Sequence, residues 1–154
     1  MDWSSWKTRY RRWRDLPASQ RWVLVQAWAL FALLPGALRV AGFRRIQAFL
    51  TQTKQAPSPP AAAGTSDTVR MVDLAARYSP LRPNCLVRSL TLWWLLRRQG
   101  VASELHIGVR KQGDKLEAHA WLEWQGAVLN DQADIASHFS PFDQQMITRS
   151  LEIR

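Results

Sequence analysis

Cysteine is almost missing from this chain of 154 residues: Cys85 stands alone. A single thiol cannot close an intrachain disulfide, so no disulfide framework supports the fold, and a reducing, cytoplasmic setting is the expectation. No P-loop pattern is present, so nothing here reads as ATP dependence, and no cofactor is expected. There is no internal repeat. No nucleic-acid-binding module signature accompanies the formal charge of +9, so nucleic acid is not an expected partner. Long hydrophobic runs are few: the stretch free of charge, Trp22 to Leu38, covers seventeen residues interrupted by Pro35 and Gly36, at the short edge of the ~20 that span a bilayer, so a membrane span stays open beside a helical hairpin packed on protein. A secretory signal fits poorly, because the basic region before this run is long and the run leads into Arg39, Arg44 and Arg45.

What is present suffices for one compact core with an appendage, since 47% of the residues are hydrophobic. Lys7, Arg9, Arg11, Arg12, Arg14 and Arg21 crowd the N-terminus among Trp3, Trp6, Tyr10, Trp13 and Trp22. Such interleaving suits a phosphate backbone, anionic lipid headgroups or an acidic peptide, or else a solvated basic helix. The punctuation that follows predicts a helix over 18–34, a turn at Pro35-Gly36 and a second helix to Phe49. This is a helical hairpin packed on protein, with weak membrane-surface association as the alternative. The Pro- and Ala-rich stretch from Gln55 to Thr65 reads as a linker. Three regions result: a basic, Trp-rich helical region at 1–54, a linker at 55–66 and a folded domain at 67–154. In the last, Ser66 or Asp67 caps a helix carrying Val69, Val72, Leu74, Ala75 and Ala76, which Pro80 ends.

The clearest helix covers 84–99. Asn84 is a good N-cap, Arg97 and Arg98 suit the negative end of the dipole, and Gly100 stands at the C′ position. Leu86, Leu90, Trp93 and Trp94 form an apolar stripe with Cys85, Ser89, Leu92 and Leu96 alongside, so the helix is central and heavily covered. Cys85 then lies in the first turn, where unpaired amides and the positive dipole end favour a negative sulfur and could hold an oxyanion. Beyond Gly100 the period becomes two: Leu105, Ile107 and Val109 alternate with polar neighbours. A turn at Lys111 to Lys115 leads to a strand bearing His119. An α+β fold follows, with an antiparallel sheet behind the cysteine-bearing helix.

Asp131 completes the residue types of a thiol triad with Cys85 and His119. A two-residue turn at Gln125-Gly126 places Asp131 opposite Ala120, on the wrong face. A three-residue loop, Trp124-Gln125-Gly126, with Gly126 left-handed in a bulge, places His119 opposite Asp131. The bulged register is therefore predicted. His106 reads as strand surface and His138 as loop. A metal site of Cys85, His106 and His119 lacks paired-ligand spacing, so no metal is expected. The nine tryptophans read as core and interface anchors.

The stretches Asn84-Cys85-Leu86-Val87-Arg88-Ser89-Leu90, Gly100 to Arg110, Ala118-His119-Ala120-Trp121-Leu122-Glu123 and Val128-Leu129-Asn130-Asp131 resemble the transglutaminase-like leader peptidases of lasso-peptide biosynthesis. The resemblance covers about residues 67–135. It implies a papain/transglutaminase-like fold and a cysteine peptidase that cuts the leader from a ribosomally made precursor peptide. A separate cyclase would then close the macrolactam. In that comparison Cys85 is the nucleophile, His119 the base and acid, and Asp131 the orienting residue. Some members carry a fused leader-recognition domain; this chain resembles the split form, whose recognition protein is separate. Two other classes stay open, a thiol acyltransferase using the same triad and a non-catalytic helical adaptor acting through residues 1–54.

Overall fold

The computed structural model describes residues 16–52, 62–112 and 115–141. The aromatic and basic cluster before Leu16, most of the expected linker and the tip of the turn between Lys111 and Lys115 lie outside the described residues. The elements run α1 (Ala18–Ala41), α2 (Phe43–Thr51), α3 (Ala62–Tyr78), α4 (Cys85–Arg98), β1 (Glu104–Gln112), β2 (Lys115–Trp124), β3 (Ala127–Val128), α5 (Ile135–His138) and β4 (Ser140–Pro141). The architecture is α+β, as expected, with a sheet in the order β3-β2-β1-β4.

The break expected at Pro35-Gly36 does not occur. Pro35 sits inside a continuous α1, and the chain turns instead at Gly42, with φ 77° and ψ 160°. Pro35 and Gly36 both face outward, while Phe31 and Leu34 before them are buried and Leu38 after them packs on the same core. Burial along that row outweighs the ~3 kcal/mol a proline costs inside a helix. Gly42 adopts a backbone conformation essentially reserved for glycine, so it is the true punctuation mark. A long helix and a short one therefore replace the hairpin. α3 likewise begins at Ala62, ahead of the expected caps Ser66 and Asp67, so the end of the predicted linker is helical.

α4 matches its sequence signals closely. The Asn84 side chain accepts from the Val87 amide at 2.9 Å, and Gly100 takes φ 84° beyond the last turn. Leu90, Leu92, Leu96 and Val87 are fully buried. α1, α3 and β2 surround the helix, and its core residues join Leu24, Phe31, Met71, Val72 and Leu122 in one cluster. β1 and β2 pair antiparallel with Gly108 opposite His119, His106 opposite Trp121 and Arg110 opposite Glu117. Alternation puts these residues on one face of the sheet, and Leu105, Ala120, Leu122 and Trp124 on the face that joins the core.

Candidate active site

The three residues singled out by sequence arrive on separate elements. Cys85 is the first residue of α4, half-buried, with its thiol free of any hydrogen bond among the described residues. Asn84 occupies the Val87 amide, and the first intrahelical bond runs from the Arg88 amide to the Asn84 carbonyl. Helix geometry leaves the Cys85 and Leu86 amides without intrahelical partners, pointing out of the helix start.

His119 and Asp131 meet directly. His119 Nε2 and Asp131 Oδ2 lie 2.6 Å apart, each side chain about 24% exposed, while Asp131 Oδ1 accepts from the Gln132 amide at 2.9 Å. Where the carboxylate is ionised it can only accept, and Nε2 is then the donor in this contact. The predicted route to this contact is wrong, however. β2 and β3 pair with Trp124 opposite Ala127 and Glu123 opposite Val128, which is the two-residue turn, not the bulged three-residue loop. Gln125 (φ 52°) and Gly126 (φ 77°) are both left-handed, as the primed hairpin turn demands. That turn matches the strand twist, and the match offsets the left-handed conformation forced on Gln125.

Asp131 still reaches His119 because the chain leaves the ladder just before it. Leu129 donates to the Leu122 carbonyl at 2.9 Å, but the Leu122 amide donates to the Asn130 side-chain Oδ1 at 2.8 Å, so a side-chain amide takes the place of the next backbone rung. Released from pairing, residues 129–131 bend and swing the carboxylate to the imidazole. Asn130 also donates through Nδ2 to Ser89 Oγ at 2.9 Å, and that hydroxyl donates to the Ala120 carbonyl at 2.8 Å. Ser89 is fully buried and lies one turn along α4 from Cys85, on the same face. Both its donor and its acceptor capacities are used, which suits a hydroxyl in that setting. Ser89 and Asn130 were not recognised as a site pair from sequence. The signal was available: a serine four residues past the cysteine, and an asparagine beside the aspartate.

The outer face of the sheet supplies the rest of the His119 surroundings. Its ring stacks near Phe139 (centroids 5.2 Å) and Trp121 (6.4 Å), and Trp121 stacks in turn on His106 (5.7 Å). Gly108 makes the packing possible: a Cβ there would stand 2.7 Å from the Phe139 Cβ and 2.9 Å from the Trp121 ring. The Arg110 guanidinium lies 4.7 Å over Phe139 and pairs with Glu117 at 2.7 Å. His106 is on the strand face as expected, whereas His138 closes the short helix α5 instead of lying in a loop. Among the described residues no cluster of three His, Cys, Asp or Glu side chains could hold a metal ion.

Beside the site runs a cleft of about 470 Å³ between α3 and the β2–β3 hairpin, lined by Val69, Asp73, Leu74, Trp124 and Leu129 among others. Cys85, His119 and Asp131 are not among its lining residues, and it is tied to their elements through two neighbours. Leu129 is two residues from Asp131, and Asp73 binds Arg88, three residues beyond Cys85, at 2.7 Å.

A family model described as the transglutaminase-like superfamily matches residues 30–143, a span that contains all three candidate residues and both residues of the Ser89–Asn130 link. No curated protein and no solved structure matches the chain.

Proposed function

Because the chain belongs to the transglutaminase-like superfamily, whose chemistry is of the cysteine peptidase or acyltransferase kind, we propose that it is a cysteine peptidase acting on a lasso-peptide precursor. It releases the leader before a separate cyclase forms the macrolactam, and it works in a reducing cytoplasm with a separate leader-recognition protein. The observation that carries the reading is the 2.6 Å contact of His119 with Asp131 on a strand bonded, through Ser89, to the helix that begins with Cys85. The family match supports the reaction type; the motif resemblance supports the substrate.

The proposed chemistry assigns one role to each of the three residues. His119 Nδ1 takes the thiol proton, and Cys85 Sγ bonds to the carbonyl carbon at the leader–core junction. Negative charge on the carbonyl oxygen is received by the free amides at the start of α4. Collapse breaks the C–N bond, and the proton held at His119 passes to the departing core amine. Water then attacks the thioester with His119 as base, the C–S bond breaks, and leader acid and thiol are regenerated. Asp131 holds the ring and balances its charge while it is protonated.

The test is incubation of the full chain with precursor peptide and recognition protein, read by mass. The wild type should give free leader acid and core amine, and Cys85→Ala should give neither. Full cleavage by Cys85→Ala would end the reading. A leader carrying an added amine in place of the free acid would instead identify an acyltransferase working through the same residues.

A further inference from the structure

The active site makes no use of the outer face of α1. Trp22, Leu33 and Val40 are separated by eleven and seven residues, close to three and two full turns, so they fall on one line along the helix. Ala29 and Gly36 fill the same line and are exposed. Trp22 is 62%, Leu33 68% and Val40 88% exposed, with Val25 beside them at 43%. The opposite side carries Leu24, Ala27, Phe31 and Leu34 into the core. The helix thus has two apolar sides, of which the fold covers one. A continuous apolar strip of this kind marks a surface that meets something other than water.

Charge distribution identifies what it meets. Residues 1–66 hold ten of the 21 Lys and Arg but two of the 12 Asp and Glu, which amounts to +8 of the net +9. From Leu16 to Ser66 there is no carboxylate at all. Arg39, at the end of α1, and Arg44 and Arg45, on α2, are exposed, and Phe49 on α2 is 70% exposed. Protein interfaces carry a polar rim; an apolar strip whose C-terminal end runs into charge of one sign matches an anionic headgroup layer over acyl chains.

We propose that the chain docks on an anionic phospholipid surface through the exposed side of α1, with α1 lying in the interface. By length and composition alone α1 could cross a bilayer. Its fastening to the core argues for lying flat. Trp28 Nε1 donates to the Ala75 carbonyl at 3.1 Å, Arg98 donates to Gln26 at 3.0 Å, and Phe31 is fully buried. A crossing helix would withdraw all of these from α3 and α4. The docking is independent of the peptidase chemistry and would place the site at a membrane surface.

The experiment is cosedimentation of the full chain with phosphatidylcholine vesicles, with and without phosphatidylglycerol, at low and high salt. Binding should require the anionic lipid and should fade at high salt. Replacing Arg39, Arg44 and Arg45 by Gln should weaken it about a hundredfold, roughly fivefold per side chain. Leu33→Glu with Val40→Glu should abolish it. Both residues are exposed, so the circular dichroism spectrum and melting temperature of that variant should stay those of the wild type. Binding that ignores lipid charge, survives the Leu33→Glu and Val40→Glu changes, or is absent at low salt would overturn the proposal. So would a strip that captures a second protein while ignoring vesicles.

Discussion

α1 and α4 are both long apolar helices, and solvent meets them quite differently. α4 buries eight of its 14 residues, Ser89 and Thr91 included. α1 buries four of 24. In α4 apolar content matches apolar burial, and Ser89, one of the two buried hydroxyls, is occupied in joining strand to helix. In α1 apolar content exceeds what the fold consumes. An uncharged run is therefore ambiguous in sequence: it registers a demand for burial without saying whether the partner is the same chain. The proposed lipid docking rests on charge, because the excess lies in the part of the chain that holds nearly all of its net charge.

Substitution of leucines tests the contrast most directly. Leu96→Ala, in the fully buried row of α4, should cost about 2–5 kcal/mol by lost transfer energy and a residual cavity. Chemical denaturation of the variant would measure it; a cost below about 1 kcal/mol would mean that α4 is not the central element described. Ser89→Ala comes next. It leaves the Ala120 carbonyl and the Asn130 amide without their buried partner, at about 1–3 kcal/mol. Because Asn130 precedes Asp131, the proposed thiol-dependent cleavage should fall further than the loss of folded protein explains, and Ser89→Thr, which keeps the hydroxyl, should restore part of it. The smallest effect belongs to α1: Leu33→Ala should change stability by no more than about 0.5 kcal/mol in the absence of lipid. A large loss there would show that its exposed side is already covered within the chain.

Local signals carried the sequence reading where one residue decides one turn. Asn84 and Gly100 bounded α4 because a capping side chain and a left-handed glycine act within a few residues, and alternation of Leu105, Ile107 and Val109 announced β1 in the same way. The reading failed where distant packing decides. Pro35 is a breaker by propensity, yet the buried row through Phe31 and Leu34 keeps the helix running past it. At the β2–β3 hairpin the assumption was that Asp131 must pair through the ladder to face His119. No spacing rule could show that the Asn130 side chain would end that ladder one residue early. The contact itself was foreseen; its geometry was not.

The Ser89 hydroxyl acts as a common datum for three lengths of chain. Through it the strand bearing His119, the bend bearing Asp131 and the helix bearing Cys85 take their positions from a single oxygen. Their relative placement is consequently insensitive to the tip of the hairpin. Residues 125–126 could be lengthened or exchanged with little displacement of the carboxylate, provided Asn130 still reaches its mark. The hairpin end of β2 and β3 is thus a place where this scaffold can accept a graft, a tag or a new recognition loop close to the site without resetting its alignment.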